Sequence, residues 1–326
     1  MRNVVVTDFT FPDLDIERAI LASEGCGLIS GQCKTLEKLI PLVVDADAVI
    51  TQFATVSREV IGAMRKARVI VRYGIGVDNV DLEAARERGI PVCNVPDYCI
   101  DEVADHTLAF ILAAMRQVVP HTNGVRAGAW KLAVPLDAMR ALRDQTVGVV
   151  GFGRIGREVV RRLAPFKCRI LVHDPFAGKP DIESAGALPA DLTQLWRESD
   201  VITLHCPSTP QTRGLIQRSS IAQMKRGVLL VNLARGDLVD PAALVEALEE
   251  GKIAGAALDV FSPEPIPPGH PILRLENVIL APHIASASVK AVRKLRETAA
   301  GIALRCLRGE LLPNVVNGVA QPGHCG

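Results

Sequence analysis

The feature that most constrains this chain is a repeated order: a short β-branched run, a turn, then a helical pattern. Runs at Asn3–Thr7, Ala48–Thr51, Val69–Tyr73 and Pro91–Asn94 alternate with helical segments at 16–23, 36–44, 58–64 and 82–88. The order resumes at Thr146–Val150, Arg169–His173, Val201–His205, Val228–Asn232, Ile253–Leu258 and Val278–Leu280. The second set is almost wholly apolar, as strands are when helices cover both faces. Such alternation predicts an α/β chain with parallel, doubly wound sheets.

Two long helical patterns bracket the second series. One is 101–116, with Asp101 as its predicted cap, and the other is 289–308. Gly124, Gly128 and Pro135 predict a loop after the first. The two helices read as crossings between two domains, and 326 residues suit two domains at ~150 each. The predicted division is a continuous insert, 101–287, within a domain built from 1–100 and 288–326. The C-terminal tail is expected to return and complete that outer domain. The Pro-rich stretch 262–271 is a loop inside a domain, because strands continue on both sides.

Composition narrows the partners. Lys and Arg number 37 against 36 Asp and Glu, so no whole-chain basic field exists to hold nucleic acid or an anionic membrane. Aromatic residues are 4%, too few for a base-stacking surface. No apolar run approaches the ~20 residues of a membrane span. The N-terminus lacks the basic and apolar regions of a secretory signal. The eight cysteines are scattered without a C-x-x-C pair, which predicts reduced thiols, no metal site and a cytoplasmic location.

The segment TVGVVGFGRIG, 146–156, carries the first chemistry. Gly151, Gly153 and Gly156 follow an apolar strand and open a helix. The first glycine permits a tight turn, the second a close approach to a pyrophosphate, the third close packing of helix on strand. The helix N-terminus offers N–H groups and partial positive charge, and Arg154 adds a side chain. The next strand ends at Asp174, whose carboxylate suits two ribose hydroxyls and repels a 2′-phosphate. The reading is an NAD site.

Arg235, Glu264 and His283 all follow strands at the same predicted sheet edge, where ligands of open α/β sheets bind. Arg235 can bind a carboxylate bidentately and polarise a neighbouring carbonyl. His283 can give or take the proton on that oxygen. Glu264 can orient the imidazole and favour its charged form. Taken singly, a turn arginine, a solvated glutamate and a loop histidine are the better readings. Taken together beside a nucleotide site, catalysis is the better one.

These motifs, in order RYGIGVDNVD, NVPDYCIDEVADHTLA, GFGRIG with Asp174, HCPSTPQTRGLI, NLARGDLVD, GAALDVF…EP and PHIAS, resemble those of NAD-dependent D-2-hydroxyacid dehydrogenases. The resemblance implies a Rossmann NAD-binding domain inserted in a flavodoxin-like substrate domain. It implies a homodimer packed through the nucleotide-domain flank, with Trp130 at the interface or in local core. It places Arg235, Glu264 and His283 in the roles given above. It places Ile155 and Ala234 at the cofactor, Cys206, Pro207 and Thr212 in a loop bordering it, Thr107 at the pyrophosphate and Asp259 at the nicotinamide end. The Gly74-Ile75-Gly76 backbone would bind the substrate carboxylate, since only small residues allow so close an approach.

Within the family, phosphoglycerate dehydrogenases tend to carry an arginine where Gln52 stands. The motifs at 72–79 and 94–109 look most like the branch related to the C-terminal-binding corepressors, but Ala285-Ser286-Ala287 lacks that branch's aromatic residue. The expected activity is interconversion of a small 2-oxo acid and its D-2-hydroxy acid, in a cleft that closes between domains. Phe53, Ala54, Tyr98 and Ser286 are candidates for the side-chain pocket. The alternative is an NAD(H)-responsive, corepressor-like binding protein with the same fold.

Overall fold

Every strand pair in the structure is parallel, so each connection must cross over through a helix or a long loop. The computed structural model describes residues 2–33 and 35–320. Two units form: one from the described residues of 1–98 and 288–320, the other from 99–287. Residues 321–326 of the predicted outer domain lie outside the described residues.

The first unit contains β1 (Asn3–Val6), β2 (Gly27–Ser30), β3 (Ala48–Thr51), β4 (Ile70–Arg72) and β5 (Val92–Cys93). Their order is β2-β1-β3-β4-β5, the flavodoxin-like winding. Alternate residues of one strand serve opposite cores, because side chains alternate across a sheet. Val4, Val6, Ala48 and Ile50 pack with Leu295, Ala299 and Ile302 of the Val289–Arg308 helix. Val5 and Val49 pack with Leu39, Val43 and Val60.

Strand β2 was not expected from its sequence. It is an edge strand with Ile29 and Ser30 exposed, so it lacks a buried apolar run. The C-terminal tail covers the other edge. Val316 donates to the Val92 carbonyl, and the Asn317 amide accepts from the Val92 N–H while donating to the Ile90 carbonyl. Covering the edge removes a template for unwanted strand pairing.

Both ends of the chain are also tied by buried charge. Glu17, fully buried on the Asp15–Ala22 helix, accepts from Arg296 Nη2 at 2.8 Å, and Arg296 Nη2 also bonds Asp13. The Tyr73 hydroxyl donates to Glu17 at 3.0 Å. Burial, then the Glu17 charge, holds that phenol well above its usual pKa.

The second unit contains β6 (Thr146–Val150), β7 (Arg169–His173), β8 (Leu188–Pro189), β9 (Val201–Leu204), β10 (Val228–Asn232), β11 (Ile253–Leu258) and β12 (Val278–Leu280). The order β12-β11-β10-β9-β6-β7-β8 is the Rossmann winding with one added strand. Its direction reverses between β6 and β9, which is where such sheets bind nucleotides. The two-residue β8 escaped sequence reading for the same reason as β2: it is a half-exposed edge.

Two helical expectations need correction. Asp101 is not the cap of the Ile100–Met115 helix; Cys99 holds that position. Asp101 sits in the first turn and bonds Arg162 at 2.6 Å. Gly124 does not lie in a loop but inside a helix, Val118–Arg126. Gln117, left-handed at φ 52°, ends one helix before the next begins. Pro120 falls in the new helix's first turn, where a missing N–H costs little.

Replacing Arg296 with Met strands the buried Glu17 carboxylate. We expect a loss of about 3–5 kcal/mol in urea unfolding, the usual cost of breaking one side of a buried pair. An unchanged midpoint would show that the pair does not hold the two chain ends together.

Candidate active site

The glycine turn lies between β6 and the Arg154–Leu163 helix. Gly156 is a glycine of necessity: a Cβ there would lie 2.1 Å from the Gly151 carbonyl oxygen. Gly151 itself has φ +99°, beside the His205–Cys206 backbone. At Gly153 the space is open, and this N-cap residue makes no side-chain cap bond. The helix N–H groups are therefore left for an outside anion, which fits a dinucleotide pyrophosphate. Arg154 is exposed on the first turn, and Ile155 is half-buried beside it.

Asp174 follows β7. Its carboxylate accepts from the Phe152 N–H at 2.6 Å and the Phe176 N–H at 2.8 Å, which braces it at the end of the turn. Each oxygen keeps a further lone pair for a ribose hydroxyl.

The loop after β9 is braced internally. Thr212 Oγ1 donates to the Pro207 carbonyl and accepts from the Thr209 N–H. Burial, with the Asp174 charge, pushes the Cys206 thiol up to about 11, so it is no nucleophile at neutral pH. Burial pushes His205 down to about 4, leaving a neutral imidazole bonded to Thr203. Thr107 is fully buried, and its hydroxyl donates to the Val103 carbonyl of its own helix.

The three residues singled out for catalysis follow β10, β11 and β12. His283 Nδ1 lies 2.8 Å from Glu264 Oε2, and Glu264 Oε1 accepts from the Phe261 N–H. Burial alone would raise the Glu264 carboxyl. The His283 hydrogen bond and charge, the Phe261 N–H and the Arg235 charge outweigh it, and the net pKa is lowered. The Glu264 contact at Nδ1 fixes the orientation of the imidazole ring.

His283 has φ 55°, a left-handed conformation that costs a non-glycine residue about 1–3 kcal/mol. Asp259 explains how it persists. This carboxylate is fully buried and accepts from the Ile284 and Ala285 N–H groups, each at 2.8 Å. Bonding these two N–H groups is what makes a buried carboxylate tolerable there.

Asn232, quoted in a motif but given no role by the sequence, does similar work for Arg235. Its amide accepts from the Ala234 N–H and donates to the Arg235 carbonyl. A Cβ on Gly236 would lie 2.0 Å from the Phe261 backbone, so the Arg235 loop packs directly on the Glu264 loop.

In the first unit, Gly74 has φ +147°, and a Cβ there would meet the Arg72 guanidinium at 1.4 Å. Among the described residues no group of three or more His, Cys, Asp or Glu could hold a metal ion, and no helix is long and apolar enough to cross a membrane.

A glycine turn lies at the sheet's switch point, with an acid after the next strand and a histidine–carboxylate pair on the same edge. Residues 108–285 match the D-isomer specific 2-hydroxyacid dehydrogenase, NAD binding domain. The chain is 44% identical over 289 residues to the D-3-phosphoglycerate dehydrogenase of Methanocaldococcus jannaschii, covering 87% of this chain and 54% of that protein. It thus spans about half the length of that relative. It is 42% identical over 282 residues to the glyoxylate reductase of Korarchaeum cryptofilum, covering 86% and 85%. The crystal structure of D-lactate dehydrogenase from Aquifex aeolicus, complexed with NAD and lactic acid, superposes with a TM-score of 0.86 at 28% identity, covering 94% of this chain and 96% of that one. The chain belongs to the D-isomer specific 2-hydroxyacid dehydrogenase family.

Gly156→Ala forces the helix away from the Gly151 carbonyl. We expect NADH affinity, read by fluorescence titration, to fall about tenfold or more, the scale of a misplaced binding geometry. Wild-type affinity would remove this contact from cofactor binding.

Proposed function

We propose that the protein is an NAD-dependent oxidoreductase that interconverts a small 2-oxo acid and the matching D-2-hydroxy acid. The observation that carries this reading is the 2.8 Å Glu264–His283 pair, on the sheet edge that also carries the Gly151–Gly156 turn. NADH, when bound, supplies the hydride that reduces the substrate's 2-carbon. His283 holds a proton on Nε2 and gives it to the 2-oxygen, so hydride and proton together saturate the C=O bond. In the reverse direction it accepts the hydroxyl proton. Glu264 fixes the tautomer and stabilises the imidazolium. Arg235 binds the substrate carboxylate and polarises the carbonyl. Within the Gly74–Gly76 backbone, the Ile75 and Gly76 N–H groups are the ones we assign to a substrate carboxylate, because the Gly74 N–H is bonded to the Arg72 carbonyl.

The loop after β3 favours a substrate without a phosphate. Gln52 is buried, and its Oε1 accepts from the Thr10 N–H at 2.7 Å. The N–H groups of Gln52, Phe53 and Ala54 all donate to the buried Asp8 carboxylate. An internal anion therefore occupies the donors an external one would need. Phe53 is partly exposed there, whereas Ala54 is buried and cannot line a pocket. No observation favours the corepressor-like alternative.

A homodimer and a cytoplasmic setting belong to the same reading. The Val118–Arg126 helix buries none of its residues, and Trp130 and Leu136 beyond it are 92% and 72% exposed. An apolar surface of this kind calls for a cover, and a second copy of the chain is the cover we assign. No disulfide joins the described cysteines, which suits a reducing compartment.

The first test follows NADH oxidation with glyoxylate, hydroxypyruvate, pyruvate, longer 2-oxo acids and phosphohydroxypyruvate. We expect turnover of short unphosphorylated acids, and a fall in kcat of about 10²–10⁴-fold in His283→Ala with NADH affinity retained. Tight NADH binding without turnover of any acid would sink the enzyme reading. For the dimer, the double variant Trp130→Ser, Leu136→Ser should sediment as a monomer where the parent sediments as a dimer. A dimeric double variant would refute the assigned interface.

A further inference from the structure

The first unit holds a contact that neither the family match nor the catalytic trio accounts for. Asn94 follows β5 and is 8% exposed. Its Nδ2 donates to the Ile75 carbonyl at 2.6 Å. The adjacent Val95 N–H donates to the Gly74 carbonyl at 2.9 Å. Two successive carbonyls of the 74–76 loop are thus drawn toward the 94–95 segment.

A trans peptide is planar, with its C=O and N–H on opposite sides. Drawing in the Gly74 carbonyl turns the Ile75 N–H outward, and drawing in the Ile75 carbonyl turns the Gly76 N–H outward. Neither of these N–H groups has an acceptor among the described residues. The first anchor is backbone and is available to any residue except proline at 95. The second depends on one side chain. Successive outward N–H groups form an anion-binding concavity, and its aim depends on both peptide planes.

We propose that Asn94 is a positioning residue for the reduction: it fixes the Ile75–Gly76 peptide so that its N–H faces the substrate carboxylate. This rests on the reading of Gly74–Gly76 as the carboxylate subsite. The residue type follows from the geometry. A side-chain amide supplies the donor at the right reach, a leucine of similar size supplies none, and an ionised aspartate would repel the carbonyl. Without the anchor the peptide is free to turn, and its N–H is no longer held toward the substrate.

The test compares Asn94→Leu with the parent and with Gly74→Ala. The readouts are KM and kcat for glyoxylate, the Kd of oxamate (a non-reacting carboxylate analogue) on the NADH complex, and the Kd of NADH. For Asn94→Leu we expect KM and the oxamate Kd to rise about 10–100-fold, the scale of a small misplacement in a binding site. We expect kcat at saturation and the NADH Kd to stay near parental values. A merely structural role would lower the folded fraction and reduce all activities together. Parental oxamate binding in Asn94→Leu, with weakened binding in Gly74→Ala, overturns the role of Asn94 and leaves the subsite standing. Parental binding in both variants overturns the subsite and this proposal with it. If Asn94→Leu fails to fold, Asn94→Ala, which opens space instead of filling it, is read by the same outcomes.

Discussion

A parallel pair of strands cannot be closed by a tight turn, and this constraint shapes the whole protein. Each strand must be followed by a crossover, and the crossovers keep one hand. All strands of a sheet therefore end on the same edge. In the second unit that edge collects the glycine turn after β6, Asp174 after β7, the Cys206 loop after β9, Arg235 after β10, Asp259 and Glu264 after β11 and His283 after β12. In the first unit it collects Asp8 after β1, Gln52 after β3, the Gly74 loop after β4 and Asn94 after β5. Residues more than a hundred positions apart, such as Gly151 and His283, share one sheet edge because hydrogen bonding leaves their strands no other direction.

The loops at those edges are then held by polar groups placed inside an apolar frame. A buried carboxylate is costly unless donors surround it, so wherever one occurs it organises backbone. Asp259 takes the N–H groups of Ile284 and Ala285 and keeps His283 in its left-handed conformation. Asp8 takes three N–H groups of the loop after β3. Glu17 takes Arg296 and Tyr73, and so joins the first helix, the last helix and the end of β4. In each case a single charge fixes several residues, which is how irregular loops become rigid enough to position chemistry.

Much of this was legible in the chain. Apolar strands buried on both faces announce themselves, and so does a glycine pattern whose spacing only a strand–turn–helix satisfies. The edge strands β2 and β8 did not, because an edge is half-solvated and needs no apolar run. The Val118–Arg126 helix was hidden by Pro120 and Gly124, residues that signal a break unless the chain has just restarted. Asp259, Asn232 and Asn94 illustrate a harder limit. A carboxylate or amide that will bond backbone looks the same in sequence as one that will face water. Its partner is chosen by the fold.

The sequence by itself determined that the sheets are parallel with helices on both faces, and it determined the glycine turn, the acid after β7 and the presence of an arginine, a glutamate and a histidine at strand ends. These follow from local periodicity and from residue chemistry, which act over a few positions. Only the tertiary structure decided that Glu264 and His283 touch, that Asp259 serves the backbone beside the histidine and that Gln52 is engaged by Thr10. It also decided that Asn94 reaches the Ile75 carbonyl. Those outcomes depend on which loops the crossovers bring within hydrogen-bonding distance, and no local pattern carries that distance.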